Sequence, residues 1–200
     1  MLKPIEPDCH IGQLDPNQES TASNMKQLAT ILAISAATCL SGCATKPFSP
    51  FPENYAGTSA TLSDSFNIRG ISEVEFFYAE QYEGNSWENA RFKSLAVNHG
   101  RGIYMSPVTV SRGIPASKPT KLLIVARTQY AAPILDLTNA VYQVKGTIEF
   151  TPETGKQYVV TGQLGGPRAA VWVEEKDTHQ VVGQKIEVDG EAAKLGFFDK

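Results

Sequence analysis

Tyr142-Gln143-Val144-Lys145-Gly146-Thr147-Ile148-Glu149-Phe150 alternates strictly in character. Tyr142, Val144, Gly146, Ile148 and Phe150 fall on one side of an extended chain. Gln143, Lys145, Thr147 and Glu149 fall on the other. A period of two is the mark of a half-buried strand. Pro152-Glu153-Thr154-Gly155-Lys156 then supplies turn residues. A second alternating strand sets Tyr158, Val160, Gly162 and Leu164 against Gln157, Thr161 and Gln163, and Gly165-Gly166-Pro167 breaks it. Ala169 to Glu174 reads as a third strand, Lys176 to His179 as a turn, and Val181 to Val188 as a return strand. Four consecutive strands with short polar turns predict an antiparallel meander.

Upstream the pattern is coarser. Lys121 to Tyr130 carries Leu122, Leu123, Ile124 and Val125, apolar on both faces, which predicts a central strand. Glu73 to Tyr78 predicts another, and Ala60 to Phe66 and Ile103 to Val110 two fainter ones. Ala90 to Val97 fits a strand or a short helix. Residues 112–120 hold Pro115 and Pro119, and residues 131–140 hold Pro133 and an Asp136-Leu137-Thr138-Asn139 cluster; both read as loops. No helical stripe extends over twelve residues, and no internal repeat is visible. Roughly seven to nine short strands in about 140 residues predict an all-β chain. Its expected form is an antiparallel β-sandwich, immunoglobulin-like in the broad sense, with a small β-barrel as the alternative.

The 200 residues are 42% hydrophobic and 20% charged, with a formal net charge of −3. That balance excludes a disordered chain. It also lacks the basic excess of a nucleic-acid binder, so no nucleic-acid partner is expected. The three cysteines are Cys9, Cys39 and Cys43. All lie ahead of the predicted domain, which rules out a disulfide scaffold, thiol catalysis and a cysteine metal site within it.

The N-terminal region carries the strongest local signal. Met25-Lys26-Gln27 precedes thirteen uncharged residues, Leu28 to Leu40, and then Ser41-Gly42-Cys43. A positive residue, a short apolar run and small residues before a cut form a secretory signal. Thirteen helical residues reach about 20 Å, short of a hydrocarbon core roughly 30 Å thick. Residues 1–24 set Lys3 against Glu6, Asp8, Asp15 and Glu19. This acidic leader does not suit a signal, so translation is expected to begin at Met25. The expected division is a doubtful leader over 1–24 and a signal peptide over 25–42. A lipidated cysteine with a Pro-rich linker covers 43–57, the sandwich 58–190 and a tail 191–200. From Cys43 onward 16 basic and 17 acidic residues remain, so charge points to no partner.

Leu40-Ser41-Gly42-Cys43 resembles the lipobox of bacterial lipoproteins. The resemblance implies a diacylglycerol on the Cys43 thiol, cleavage between Gly42 and Cys43, and acylation of the new amino group. More than one acyl chain anchors stably. By the same resemblance, Ala44 rather than Asp after the cysteine implies the outer membrane, with the domain facing the periplasm. The acylated cysteine, the proline linker and the closing run from Gly155 to Glu174 are similar to small β-rich lipoproteins of Gram-negative bacteria. That similarity implies an envelope protein and carries no catalytic residues.

No catalytic set is expected. His99 and His179 lie in different regions without a second His at ligand spacing, so neither a metal site nor a cofactor is expected. A Gly-x-Ser-x-Gly elbow is missing, which leaves a periplasmic hydrolase as the weakest reading. Glu73 and Glu75 share a strand face, read as solvated rather than as a pair flanking a sugar. Glu174, Glu175 and Asp177 read as a charged turn. Candidate contact residues for a ligand or partner are Trp87, Trp172, His99 and Arg112. Trp172, between Val171 and Val173, reads as core; exposed, it would offer a stacking platform. Trp87, in a polar stretch, reads as exposed. Arg112, ahead of Gly113 and Pro115, reads as bridging loop carbonyls, with anion binding as the alternative. The expected function is a binding or structural module of the envelope that engages a protein, with glycan binding, to peptidoglycan or lipopolysaccharide, as the alternative.

Overall fold

The computed structural model describes residues 47–200. The leader, the signal peptide, Gly42 and Cys43 lie outside the described residues. Among those described, the elements are β1 (Ser59–Ser63), β2 (Ser65–Ile68), β3 (Glu73–Tyr82), β4 (Asn85–Ser86), α1 (Ala90–Asn98), β5 (Ser111–Pro115) and β6 (Thr120–Tyr130). They continue with α2 (Pro133–Thr138), β7 (Gln143–Phe150), β8 (Gln157–Gln163), β9 (Arg168–Glu175) and β10 (Val181–Asp189). Two sheets form an all-β sandwich. The first has the order β10-β9-β8-β1-β5; the second is β2-β3-β6-β7, with β4 on the end of β3. The sheets do not close on each other, so the barrel alternative does not hold. All pairs are antiparallel except β1 with β8.

The core lies between the sheets. Leu62, Ile114, Tyr158, Val160, Val171 and Val173 face Phe77, Leu122, Ile124, Val144, Ile148 and Phe150. A second cluster covers the outer face of the second sheet, where α1 and the segment after it lie over Val74, Phe76, Tyr78 and Val125. This is why β3 and β6 read as apolar on both faces: each is roofed on one side and packed against the first sheet on the other. Asn89 starts α1, its side-chain oxygen accepting from the Phe92 N–H at 3.1 Å. That cap settles Ala90 to Val97 as helix.

Four expectations need correction. The four-strand meander is a three-strand meander of β8, β9 and β10; β7 pairs with β6, and residues 151–156 cross from one sheet to the other. Alternation marks a half-buried strand but not its neighbours. Residues 103–110 form no strand, whereas Ser111–Pro115, which runs into the loop predicted over 112–120, is β5. Pro115 is tolerated because β5 is an edge strand, where a missing N–H breaks no central ladder. The predicted loop over 131–140 contains α2, with Pro133 in its first turn, where no intrahelical N–H is needed.

The chain changes sheets at Asp64, between β1 and β2. Its carboxylate is buried and accepts from the Ala79 N–H of β3 (3.2 Å) and the Ala90 N–H of α1 (2.8 Å). It also pairs with Arg112 of β5. One side chain therefore ties both sheets and the helix at the crossing.

The strands give the sandwich two distinct ends. One end holds the start of β1, the ends of β3 and β7 and the starts of β6 and β8. The linker docks here: Phe48 lies 6.1 Å from the Tyr82 ring, and Phe51 packs on Gly113 and Tyr55. The far end holds the β2–β3 turn, α2, the β8–β9 turn and the residues after β10. Ala193 is buried there, and Lys194 bridges Tyr142.

Candidate functional site

Arg112 points inward, since its β1 partner Leu62 is a core residue. Its guanidinium pairs with Asp64, donates to the Glu88 and Ala79 carbonyls and lies 4.2 Å from the Trp87 ring centroid. The side chain is 9% exposed. Carbonyl bridging is the arrangement found, so Arg112 is no anion site open to solvent. Burial pushes the Asp64 carboxyl up to about 6, although Arg112 and the two backbone N–H groups pull the other way. The same burial lowers the Arg112 guanidinium. Trp87 is buried between Arg112 and Tyr82, whose ring is 5.4 Å away, contrary to its exposed reading. Its neighbours in sequence are polar, and its burial arises from β5 and the end of β3, which sequence adjacency does not display.

Trp172 is the reverse case. Val171 and Val173 are fully buried in the core, and the indole faces outward from the first sheet, half-buried. Alternation left two choices for this strand, and the valines took the core.

The paired carboxylates also differ from expectation. Glu75 is buried rather than solvated, held by Arg69 at 2.9 Å and Asn67 at 3.5 Å. Glu175 pairs with Lys156, and Glu174 with His179. Among the described residues, no group of three His, Cys, Asp or Glu side chains converges as a metal site would require.

His99 is exposed at the end of α1. It lines a cavity of about 420 Å³ at the far end, with Leu95, Asn98, Gly100, Gly102, Ala131, Ala132 and Pro133. The lining is mostly apolar and holds no carboxylate to pair with the imidazole. Gly100 and Gly102 take φ values of +78° and +70°, which let the chain turn sharply out of α1.

Around this cavity the far end is unusually apolar. Val97 leaves α1 beside it, and α2 turns Ile134 and Leu137 to solvent, burying no residue of its own. Ile68 and Ile71 flank the β2–β3 turn. Ile103 and Tyr104 lie next to that turn, where the Met105 N–H donates to the Ile71 carbonyl at 2.9 Å. Phe197 and Phe198 follow, on a tail tied down by the Leu195 N–H to Val141 and the Lys200 ammonium to Asn139. Nine of the twelve exposed large apolar side chains among the described residues thus gather at one end. Isolated exposed apolar residues need no explanation, but a concentration marks an interaction surface. Sequence reading missed it because the four contributing segments are far apart in the chain. Compared with protein-family models, with curated proteins and with solved structures, the chain matches none.

Proposed function

We propose that this chain is an outer-membrane lipoprotein whose periplasmic β-sandwich is a binding module, docking an envelope protein through the end away from its linker. The observation that carries the reading is the gathering of exposed apolar side chains around the far-end cavity. A lipid on Cys43 precedes Pro47 by four residues, at most about 14 Å of extended chain. Phe48 and Phe51 then hold the following segment to the linker end. The apolar end is thus the one away from the segment that Phe48 and Phe51 hold, which supports a protein partner over the bilayer surface.

A photo-crosslinking residue placed at Leu137 in cells should capture a discrete protein partner. The same probe at Lys118, at the linker end, should not. Equal capture at both positions, or none at Leu137, rejects the docking reading. Anchoring has a separate test: radiolabelled palmitate should enter the wild type and not Cys43→Ala, and equal labelling of both ends the lipoprotein assignment.

A further inference from the structure

The outer face of the first sheet is a second surface, unlike the far end in chemistry. Its inward side chains, Leu62, Ile114, Tyr158, Val160, Val171 and Val173, form the core. The alternate positions therefore face outward, and the register arranges them in rows. Trp172 on β9 lies directly across from Thr161 on β8. The next row is Glu174, Val159, Ser63 and Ser111, with the last two hydroxyls 2.8 Å apart. A third brings Gln157, Thr61 and Gly113 together. Among the described residues no helix roofs this face; Phe51, over Gly113, lies at its border.

The tryptophan is held in place. Its indole N–H donates to Glu174 at 2.9 Å, and the other Glu174 oxygen faces His179 Nδ1 at 2.8 Å. The Lys185 ammonium stands 4.7 Å from the ring centroid and also pairs with Glu187 at 3.0 Å. Lys185 thus covers one face of the ring while held by Glu187, and a ligand stacking on that face has to displace it. An indole fixed at its edge, with a single lysine side chain on its face, suits a flat apolar surface that takes the place of that lysine. Hydroxyl and amide groups beside it offer donors and acceptors without net charge.

We propose that this face binds the glycan strand of peptidoglycan, with one pyranose ring stacked on Trp172 beside Thr161 and the next sugar of the strand meeting the Ser63 and Ser111 hydroxyls, two and three strands away. A pyranose has an apolar C–H face and a polar rim, which matches an aromatic plane bordered by hydroxyls. Charge distinguishes between envelope glycans. Glu174 and Glu187 are matched by Lys185 and by Arg168, which lies 3.4 Å from Glu187, so the face around the indole has no cationic excess to hold a phosphorylated lipopolysaccharide, whereas an uncharged N-acetylated sugar backbone needs none. The choice of this polymer rests on the periplasmic location proposed above; the face itself does not depend on it.

The test uses the purified full chain in detergent and isolated peptidoglycan sacculi, a format independent of location in the cell. The wild type should co-sediment with sacculi, Trp172→Ala should lose at least tenfold in affinity, and Trp172→Phe should keep part of it. Ser63→Arg, which crowds the hydroxyl row and spares the indole, is the second variant and should lose binding if Trp172→Ala fails to fold. Ile134→Asp, at the far end, should bind as the wild type does. Failure of the wild type to sediment, undiminished binding by folded Trp172→Ala or by Ser63→Arg, or binding to lipopolysaccharide vesicles in place of sacculi overturns the proposal. Loss of palmitate labelling or of Leu137 crosslinking bears only on the earlier reading.

Discussion

Asp64 and Arg112 form a buried pair that ties β5 to the crossing between the sheets, and its burial makes it sensitive to pH. Asp64 is fully buried and Arg112 nearly so. Removing one partner of such a pair leaves an uncompensated charge, at a cost of about 3–5 kcal/mol. Arg112→Met should therefore be strongly destabilising in urea unfolding at pH 7.5. At pH 4.5 the loss should be smaller, because a protonated Asp64 needs no cation. The sign for the wild type follows from the same group. Its folded carboxyl titrates at about 6 and an unfolded aspartate near about 3.9. The folded state holds the extra proton between those values, so the Asp64 contribution falls as pH rises through that window and is flat above it. Asp64→Asn should lack this component; identical pH profiles for the two proteins would contradict the assignment. Little of this was legible beforehand. Arg112 beside Gly113 and Pro115 signalled carbonyl bridging, but Asp64 is 48 residues away and carries no mark of its role. Trp87 was misread for the same reason: a side chain's burial is decided by what the fold brings over it.

Elements were easier to read than their partners. The alternation of β7, β8 and β10 and the two-faced apolar character of β6 follow from which faces are covered, a property each strand carries in its own residues. Sheet membership does not, and the crossing after β7 is invisible in the turn that makes it. β5 was hidden by Pro115 and α2 by Pro133, both at positions where a proline is tolerated. Gly162 shows how closely the elements meet. A Cβ there would overlap the Ala170 carbonyl oxygen of β9 and come within 2.7 Å of the Phe77 ring from the opposite sheet. Phe77 fills the space a side chain would need, so the strand can keep its inward register only with glycine at this position. Gly162→Ala should cost about 1–3 kcal/mol by overpacking, and Gly162→Val more. Thermal unfolding measures both, and an unchanged Tm for Gly162→Val would show that β8 does not approach Phe77 as described.

At the scale of the whole molecule the two ends of the sandwich treat apolar surface differently. At the linker end the chain covers its own: Phe48, Pro50, Phe51 and Tyr55 lie with Tyr82 and Pro115 around one cavity of about 370 Å³. At the far end Ile134, Leu137 and their neighbours have no such cover among the described residues. Exposed side chains that pack on nothing contribute little to folding, and surface substitutions of this kind fall within about ±0.5 kcal/mol. Ile134→Asp with Leu137→Asp should thus leave the urea midpoint nearly unchanged while abolishing capture by a crosslinker placed at Tyr104 on the same end. The linker end should respond in the opposite way. Phe48→Ser with Phe51→Ser removes the rings that hold residues 47–57, so proteolysis in that segment should accelerate while far-end capture persists. If the double aspartate variant unfolds instead, these residues serve the fold rather than a partner. If the double serine variant loses capture too, the two ends do not act independently, and the linker must help to form the docking surface.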